Sequence, residues 1–558
     1  MSDDAERLHT GVRIQARGDL AATFERACEG GFDFTTLELV PEGHDGYSDR
    51  DLPAATWRAF IVGQSVSSQP LGPQLAWSRH LGLPVVISFH PSEGVAEYGR
   101  TLAAHLLEPS SSSPVWFQAT LDLDSWRTWD QVRTICDHDP RLSVCLELGV
   151  NVPDEELLGT WLAEPIECIA VRGDQLLDSD PRLLRMIGRF FAKLTRSAMV
   201  LGDDAEQLVA ARKALDELFA SSWGALTVDG QTSARYAGQL ITAAQPLRDH
   251  LDSQTYEHFE LGTEKYTTYL FAIRAALAHL ALDEANVVVA GAGRGPLVEA
   301  TLTASNDLGR RVRITAVEKN PNAAVTLRQR LRAEWGPRVS FFEGDMRSFL
   351  PDRPIDLLVS ELLGGFGDNE LSPECLEPVE RHLATHAVVL PTSYRSYLAP
   401  LFAPTLYAAA LREGTRCERP VVSTLGRSML LAEPVPCFEF RHPRPDRATA
   451  RLESDRHAKL ELASRSSSTL HGFAGYFESD LYSGHPISIL PGHEVAGSSW
   501  APLYFPLERP IRLRRGEPIE LHFFRRSTRT HVWYEWLVTR PETTRVHNPS
   551  GRTEAMAR

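Results

Sequence analysis

Asn286–Ala300 reads NVVVAGAGRGPLVEA. An apolar strand runs into Gly291, Gly293 and Gly295, and Pro296 stands where a helix would start. Glycines at such a strand-to-helix bend let the backbone approach a ligand closely. The spacing is G-x-G-x-G rather than the dinucleotide pattern G-x-G-x-x-G, so the turn points to a nucleoside and not to a pyrophosphate. A lone glycine-rich turn is a weak signal; two further strands strengthen it. RVRITAVEKNPNA (311–323) ends a second strand in Glu318, an acid suited to both hydroxyls of a ribose. VSFFEGDMR (339–347) ends a third in Asp345, which with the Met346 backbone suits an adenine. Turn and two acidic strand ends together predict a Rossmann-type α/β domain with a nucleoside at its strand ends.

Downstream, DLLVS (356–360) reads as a buried strand, and the loop after it is SELLGGFGDNELSPEC (360–375). Glu361 and Glu370 lie on either side of a glycine-broken turn. Two carboxylates so placed can grip a planar cation; on the residues alone they could equally cap a helix or form surface ion pairs. Cys375 beside them reads as either a reactive thiol or a small buried residue. Upstream, YEHFELGTEKYTTYLFAIRAALAHLAL (256–282) ends in an amphipathic helix, with Tyr266, Tyr269, Leu270, Ile273, Leu277 and Leu280 at helical spacing. Its first half holds Tyr256, Phe259, Lys265 and Tyr266 in a stretch too polar for a core. Those residues suit either covering a site or packing the helix onto the next domain.

Further out, the first 240 residues alternate short apolar runs with amphipathic stretches. The strands are GVRIQ (11–15), FDFTTLEL (32–39), AFIVG (59–63), PVVISF (84–89), VWFQATL (115–121), SVCLEL (143–148), CIAVR (168–172) and SAMVL (197–201), with WGALTV (223–228) as a substitute for a weaker one. About eight strand–helix repeats in this length predict a (β/α)8 barrel, with an open doubly wound sheet as the alternative. No catalytic constellation is evident there: His90 and Glu147 read as polar rim residues and Ser110–Ser113 as a loop, so a scaffold or docking role is expected. Residues 241–255 read as a linker. From 391 the chain turns to short alternating strands between Pro/Gly/Ser turns, an antiparallel β-barrel or sandwich, interrupted by PTLYAAALREGTRCERP (404–420). That segment looks helical, with an Ala-rich face suited to another subunit.

At 558 residues the chain exceeds a single core. Composition is that of a soluble globular protein, 43% hydrophobic and 23% charged. A net charge of -15 argues against direct nucleic-acid binding and suits a basic partner such as an Arg-rich peptide. Seven scattered cysteines without C-x-x-C argue against disulfides and metal sites. The N-terminal MSDDAERLHTGVRIQ lacks a signal-peptide pattern, and no apolar run approaches bilayer length. No membrane association is expected, and the location is read as cytoplasmic, with the nucleus open too for a eukaryotic source.

The order of turn, ribose acid and adenine acid is typical of S-adenosylmethionine-dependent methyltransferases. GAGRGPLV, AVEKNPNA, SELLG with DNELSPEC, TLHGFAGYFE, VWYEW and HNP with GR together resemble the type II, symmetric-dimethylating protein arginine methyltransferases. The likeness is strong from Tyr256 to Arg552 and weaker before it. It implies a TIM-like barrel (1–240), the linker, an S-adenosylmethionine-binding domain (256–390) and a β-barrel with a dimerisation segment (391–558). It also implies a homodimer or higher homo-oligomer and Arg/Gly-rich protein substrates, and leaves an adaptor on the N-terminal barrel open. Residue by residue, it implies Gly291 and Gly293 for the cofactor turn, Glu318 for the ribose, and Asp345 and Met346 for the adenine. Tyr256, Lys265 and Tyr266 would hold the cofactor's carboxylate end or cover it. Glu361 and Glu370 would be the catalytic pair, Phe259 would set the symmetric product, and Trp500 would pack on the substrate arginine. Ala501 departs from the bulky aromatic expected after that tryptophan, which implies a wider channel. A monomethylating enzyme and a methyltransferase of another amine or guanidine remain the alternatives within this cofactor class; a scaffold that binds the cofactor without catalysis is the non-enzymatic one.

Overall fold

The computed structural model describes residues 7–13, 20–39, 60–89, 94–109, 112–178, 180–444, 455–493 and 500–558. The chain forms two compact units. One comprises residues 1–237 with 403–408 and 426–429; the other comprises 238–402, 409–425 and 430–558.

In the first unit eight parallel strands close a barrel: β1 His9–Arg13, β2 Phe34–Glu38, β3 Ile61–Gln64, β4 Val85–Ser88, β5 Val115–Thr120, β6 Leu142–Leu148, β7 Ile166–Arg172 and β8 Ser197–Leu201. Closure is carried by β8 beside β1, with Gly11 opposite Met199. The strands form where β-branched and other apolar residues are clustered, and Phe34, Val62, Val86, Cys145, Cys168, Ala170 and Met199 fill the interior. The crossover helices bury one stripe each. In Pro181–Ala192 the stripe is Leu183, Met186, Ile187, Phe190 and Phe191, and Asp180 caps the start by accepting from Arg182 N. All eight barrel strands fall where their apolar runs predict them, and the closed barrel excludes the open sheet.

One expectation fails. WGALTV is not a strand: Trp223 and Gly224 end the helix Ala205–Gly224, whose Leu208, Ala211, Leu215, Phe219 and Trp223 are buried at helical spacing. A short apolar run at a helix end is indistinguishable from a strand without that longer period. Ile14, Gln15, Ala59, His90, Ser110 and Ser111 lie outside the described residues. Glu147 is a rim residue that accepts a hydrogen bond from Gln118 Nε2 at 3.2 Å.

The second unit joins a parallel sheet to an antiparallel one. Its parallel strands are β9 Glu284–Ala290, β10 Arg311–Glu318, β11 Val339–Glu343, β12 Ile355–Ser360 and β13 Leu383–Leu390, in the order β11-β10-β9-β12-β13. The chain fills one side of β9 and then crosses to the other, so the switch point lies between β9 and β12. The crevice at the carboxyl ends of these two strands is where such sheets bind ligands. In the antiparallel part, Ser468–Asp480 pairs with Ser393–Phe402 and Leu503–Leu513, while Arg456–Ala463, Pro518–Ser527 and His531–Arg540 pair in a second sheet.

The segment 404–420 is helical over Pro404–Arg412, but Leu406, Tyr407 and Ala410 are already buried within this chain, at 1%, 4% and 3% exposure. Tyr407 lies edge-on to His138. Ala408 and Ala409 of the Ala-rich stretch are half-buried.

Candidate active site

The glycine turn after β9 is fixed by its neighbour strand. Gly291 N and Ala292 N both donate to Val317 O at 3.0 Å. Gly293 N donates to Glu318 Oε2 at 2.8 Å, and Asn320 N donates to Glu318 Oε1 at 2.6 Å. Burial raises the Glu318 carboxyl against these backbone donors. Gly291 and Gly293 have φ of 72° and 55°, and a side chain at Gly291 would meet Leu362 at 2.9 Å. The backbone thus forms a cradle that only a bare chain can make.

Around it lies a cleft lined by Tyr256, Phe259, Tyr266, Glu318, Asp345, Met346, Glu361 and Glu370 among others. Tyr256 packs over Gly293, and its hydroxyl accepts from Asn320 Nδ2 at 3.0 Å. Burial beside Glu318 pushes this phenol up to about 12. Tyr266 is likewise raised by burial and Glu361. At the end of β11, Asp345 is partly buried, yet Arg347 donates to it and holds it below the usual range. Its carboxylate is engaged with Arg347 Nε at 3.0 Å and with Arg347 N at 2.8 Å.

Residues 241–255 do more than link. Pro246, Leu247, Asp249 and Leu251 line the cleft, and Leu247 O and Leu251 O accept from Lys319 Nζ and Asn320 Nδ2 at 2.7 and 2.8 Å. Short polar composition hid this, because the contacts are made by main-chain carbonyls.

The end of β12 delivers Glu361, and Tyr269 OH fixes that end by donating to Ser360 O at 2.9 Å. Glu361 Oε2 accepts from Lys265 Nζ at 3.3 Å. Lys265 is 1% exposed, although the polarity of its stretch predicts exposure. Its charge is tolerated there because it is matched: besides Glu361, the Trp500 and Tyr266 ring centres lie 4.8 Å from Nζ and the Phe259 centre 5.6 Å. Trp500 donates from Nε1 to Leu363 O at 2.6 Å and stands edge-on to Phe477. Glu370 ends the short turn Asp368–Glu370; burial, and then the charge of Glu361, push it up to about 8, while Lys265 pulls the other way. Cys375 lines the cleft, and burial pushes its thiol up to about 12, so it is small and buried rather than reactive.

What holds the double-glutamate loop was not legible beforehand. Arg525, fully buried, donates from Nε to Asp368 Oδ2 at 2.5 Å and from Nη1 and Nη2 to Glu374 at 3.0 and 2.9 Å. Tyr534 OH adds a bond to Asp368 Oδ2 at 2.9 Å, and Ser396 Oγ donates to Phe366 O at 2.8 Å. Phe366 packs edge-on against Phe505, Phe523 and Tyr534. Within the loop, Gly364 and Gly367 exchange backbone bonds of 3.1 and 2.8 Å. Gly365 admits no side chain, since its Cβ would stand 1.9 Å from Ala501 O. The antiparallel sheets thereby set the position of both glutamates.

Among the described residues no cluster of His, Cys, Asp or Glu could hold a metal ion, and no helix is long and apolar enough to cross a membrane.

A nucleoside cradle beside a caged cation and two glutamates fits one class of protein, the arginine methyltransferases, and sequence comparison agrees. Residues 227–390 match the PRMT5 arginine-N-methyltransferase family, 393–556 the PRMT5 oligomerisation domain and 62–177 the PRMT5 TIM barrel domain. Protein arginine N-methyltransferase 5 of Xenopus laevis is 31% identical, with 99% of each chain covered. The Oryza sativa subsp. japonica protein of that name is also 31% identical, over 99% of this chain and 98% of its own. Protein arginine N-methyltransferase skb1 of Schizosaccharomyces pombe is 34% identical, over 87% of this chain and 85% of its own. The chain belongs to the protein arginine N-methyltransferase 5 family.

Proposed function

We propose that this enzyme transfers methyl groups from S-adenosylmethionine to guanidinium nitrogens of arginine in proteins, giving mono- and symmetric dimethylarginine. One observation carries the reading: Glu361 and three aromatic rings surround a single cation, with Glu370 lining the same cleft, beside a nucleoside cradle. The cradle fits the cofactor by its bare glycine backbone, with Glu318 for the ribose hydroxyls and Asp345 and Met346 for the adenine. Tyr256 and Tyr266 close over it. When bound, the sulfonium supplies an already activated methyl.

The residues of the chain then have three tasks. The carboxylates of Glu361 and Glu370 match the planar fork of a guanidinium in shape and charge. Trp500 and Phe259 offer it flat faces and confine its rotation, so that one nitrogen is presented. Such alignment supplies much of the rate in a simple displacement. Glu370 takes the proton that the methylated nitrogen must lose, and a carboxyl raised to about 8 is suited to hold it. Phe259 at the slot wall governs which nitrogen is methylated second. The oligomerisation domain supports a homo-oligomer as the working form.

Incubating an Arg-Gly-rich peptide with labelled cofactor and identifying the products by mass spectrometry tests this. Symmetric dimethylarginine is expected. Monomethylarginine alone would overturn the symmetric assignment, and methylation of small amines but not the peptide would overturn the substrate.

A further inference from the structure

Lys265 is out of place by every local criterion. It lies in the first turn of the helix Thr263–Leu280, where the helix dipole disfavours a cation. It is buried along with Tyr269, Ala272, Ile273, Ala276 and Leu277 of the same helix. A buried ammonium must be matched, and its partners are Glu361 at 3.3 Å and the rings of Trp500, Tyr266 and Phe259 at 4.8–5.6 Å. These are the groups that would receive a guanidinium. Glu361 and these three ring faces are already engaged by one ammonium, and a second cation entering the same slot would be repelled by it.

We infer that Lys265 is a built-in placeholder: its ammonium occupies the arginine position, and a substrate arginine has to displace it from Glu361. The inference rests on the assignment of this slot to the substrate guanidinium. Lys265 shields the acidic slot from stray cations, so that Glu361 is released to the substrate only when the ammonium leaves it. Lys265 is then a gate on substrate binding, in addition to anything it does for the cofactor.

The test is calorimetric binding of an Arg-Gly peptide to the full chain, purified without cofactor, in four forms: wild type, Lys265→Met, Glu361→Gln and the double variant. Thermal melts establish that each is folded. Lys265→Met should bind the peptide about tenfold more tightly than wild type, the size of a charge-assisted contact that no longer has to be broken. Lys265→Arg, which keeps a cation in the slot, should show no gain. Glu361→Gln should weaken binding and abolish the gain in the double variant. Should Lys265→Met not fold, Lys265→Gln carries the same expectation. Equal or weaker binding by the folded uncharged variant, with Glu361→Gln still weakening it, overturns the placeholder while the slot assignment stands. If Glu361→Gln leaves peptide binding unchanged in both backgrounds, the slot assignment falls and the placeholder falls with it.

Discussion

Two parallel α/β sheets in this chain end in polar groups at their carboxyl edges, and among the described residues the two edges differ in how their polar groups are matched. At the rim of the N-terminal barrel, Arg13 Nη2 donates to Gln64 Oε1 at 2.8 Å, Ser88 Oγ to Gln118 Oε1 at 2.9 Å, and Gln118 Nε2 to Glu147 Oε2 at 3.2 Å. Those side chains largely satisfy one another, and amides do most of the work. At the edge of the five-stranded sheet, Glu361 is bound to a buried lysine and Glu370 is driven up to about 8 by burial beside it. Equivalent topology therefore does not make equivalent sites. Chemistry is expected where burial has put charges out of balance.

The contrast can be broken most sharply with paired substitutions. Glu361→Gln or Glu370→Gln should lower kcat by about 10³-fold, in the range of losing one group aimed at a developing charge. Glu147→Gln in the barrel rim should stay within about twofold of wild type, the range of a surface change. Labelled-methyl transfer measures both, and near-normal turnover by either site variant would sink the clamp. Next in size is the clamp's support. Arg525→Met removes the buried guanidinium that Asp368 and Glu374 share and should destabilise the unit that carries them by about 3–5 kcal/mol, read from a denaturant midpoint. An unchanged midpoint would mean that the loop holds itself.

The pH profile is a gentler probe. Below about 8 Glu370 carries a proton and cannot accept from the substrate, so kcat/KM should climb with pH and level off above that value. A flat profile from pH 6 to 9 would take Glu370 out of the proton-handling role. Smallest in rate, though visible in product, is Phe259→Met. Its ring stands 5.6 Å from the slot cation, and its loss should let asymmetric dimethylarginine appear in mass spectra with turnover largely kept. An unchanged product spectrum would remove Phe259 from the choice of nitrogen.

Much of this was legible in the chain. Barrel strands announce themselves as short apolar runs between helical periods, and the cradle announces itself because glycine spacing and acidic strand ends recur within sixty residues. Glu361 and Glu370 were legible as a pair because the loop is local. Arg525 was not: it sits in PIELHFFRR, where an arginine reads as the polar face of an alternating strand, and its partner Asp368 is 157 residues away. Burial of Lys265 was hidden for a related reason. Polarity in a stretch predicts exposure only when no distant carboxylate and rings are waiting to match it, and Glu361 is 96 residues further on. Trp223 misled in the opposite direction, because six residues are too few to tell a helix end from a strand.

The bond between Arg525 and Asp368 also has a meaning in time. A ribosome making this chain has finished the glycine turn and both glutamates by residue 370, yet the side chain that fixes their loop comes 157 residues after Asp368, and Tyr534 comes 166 after it. A nascent chain stalled just before Arg525 would have both glutamates but neither Arg525 nor Tyr534 to hold Asp368. The loop that carries Glu370 thus gains its buried arginine only when the last strands are made.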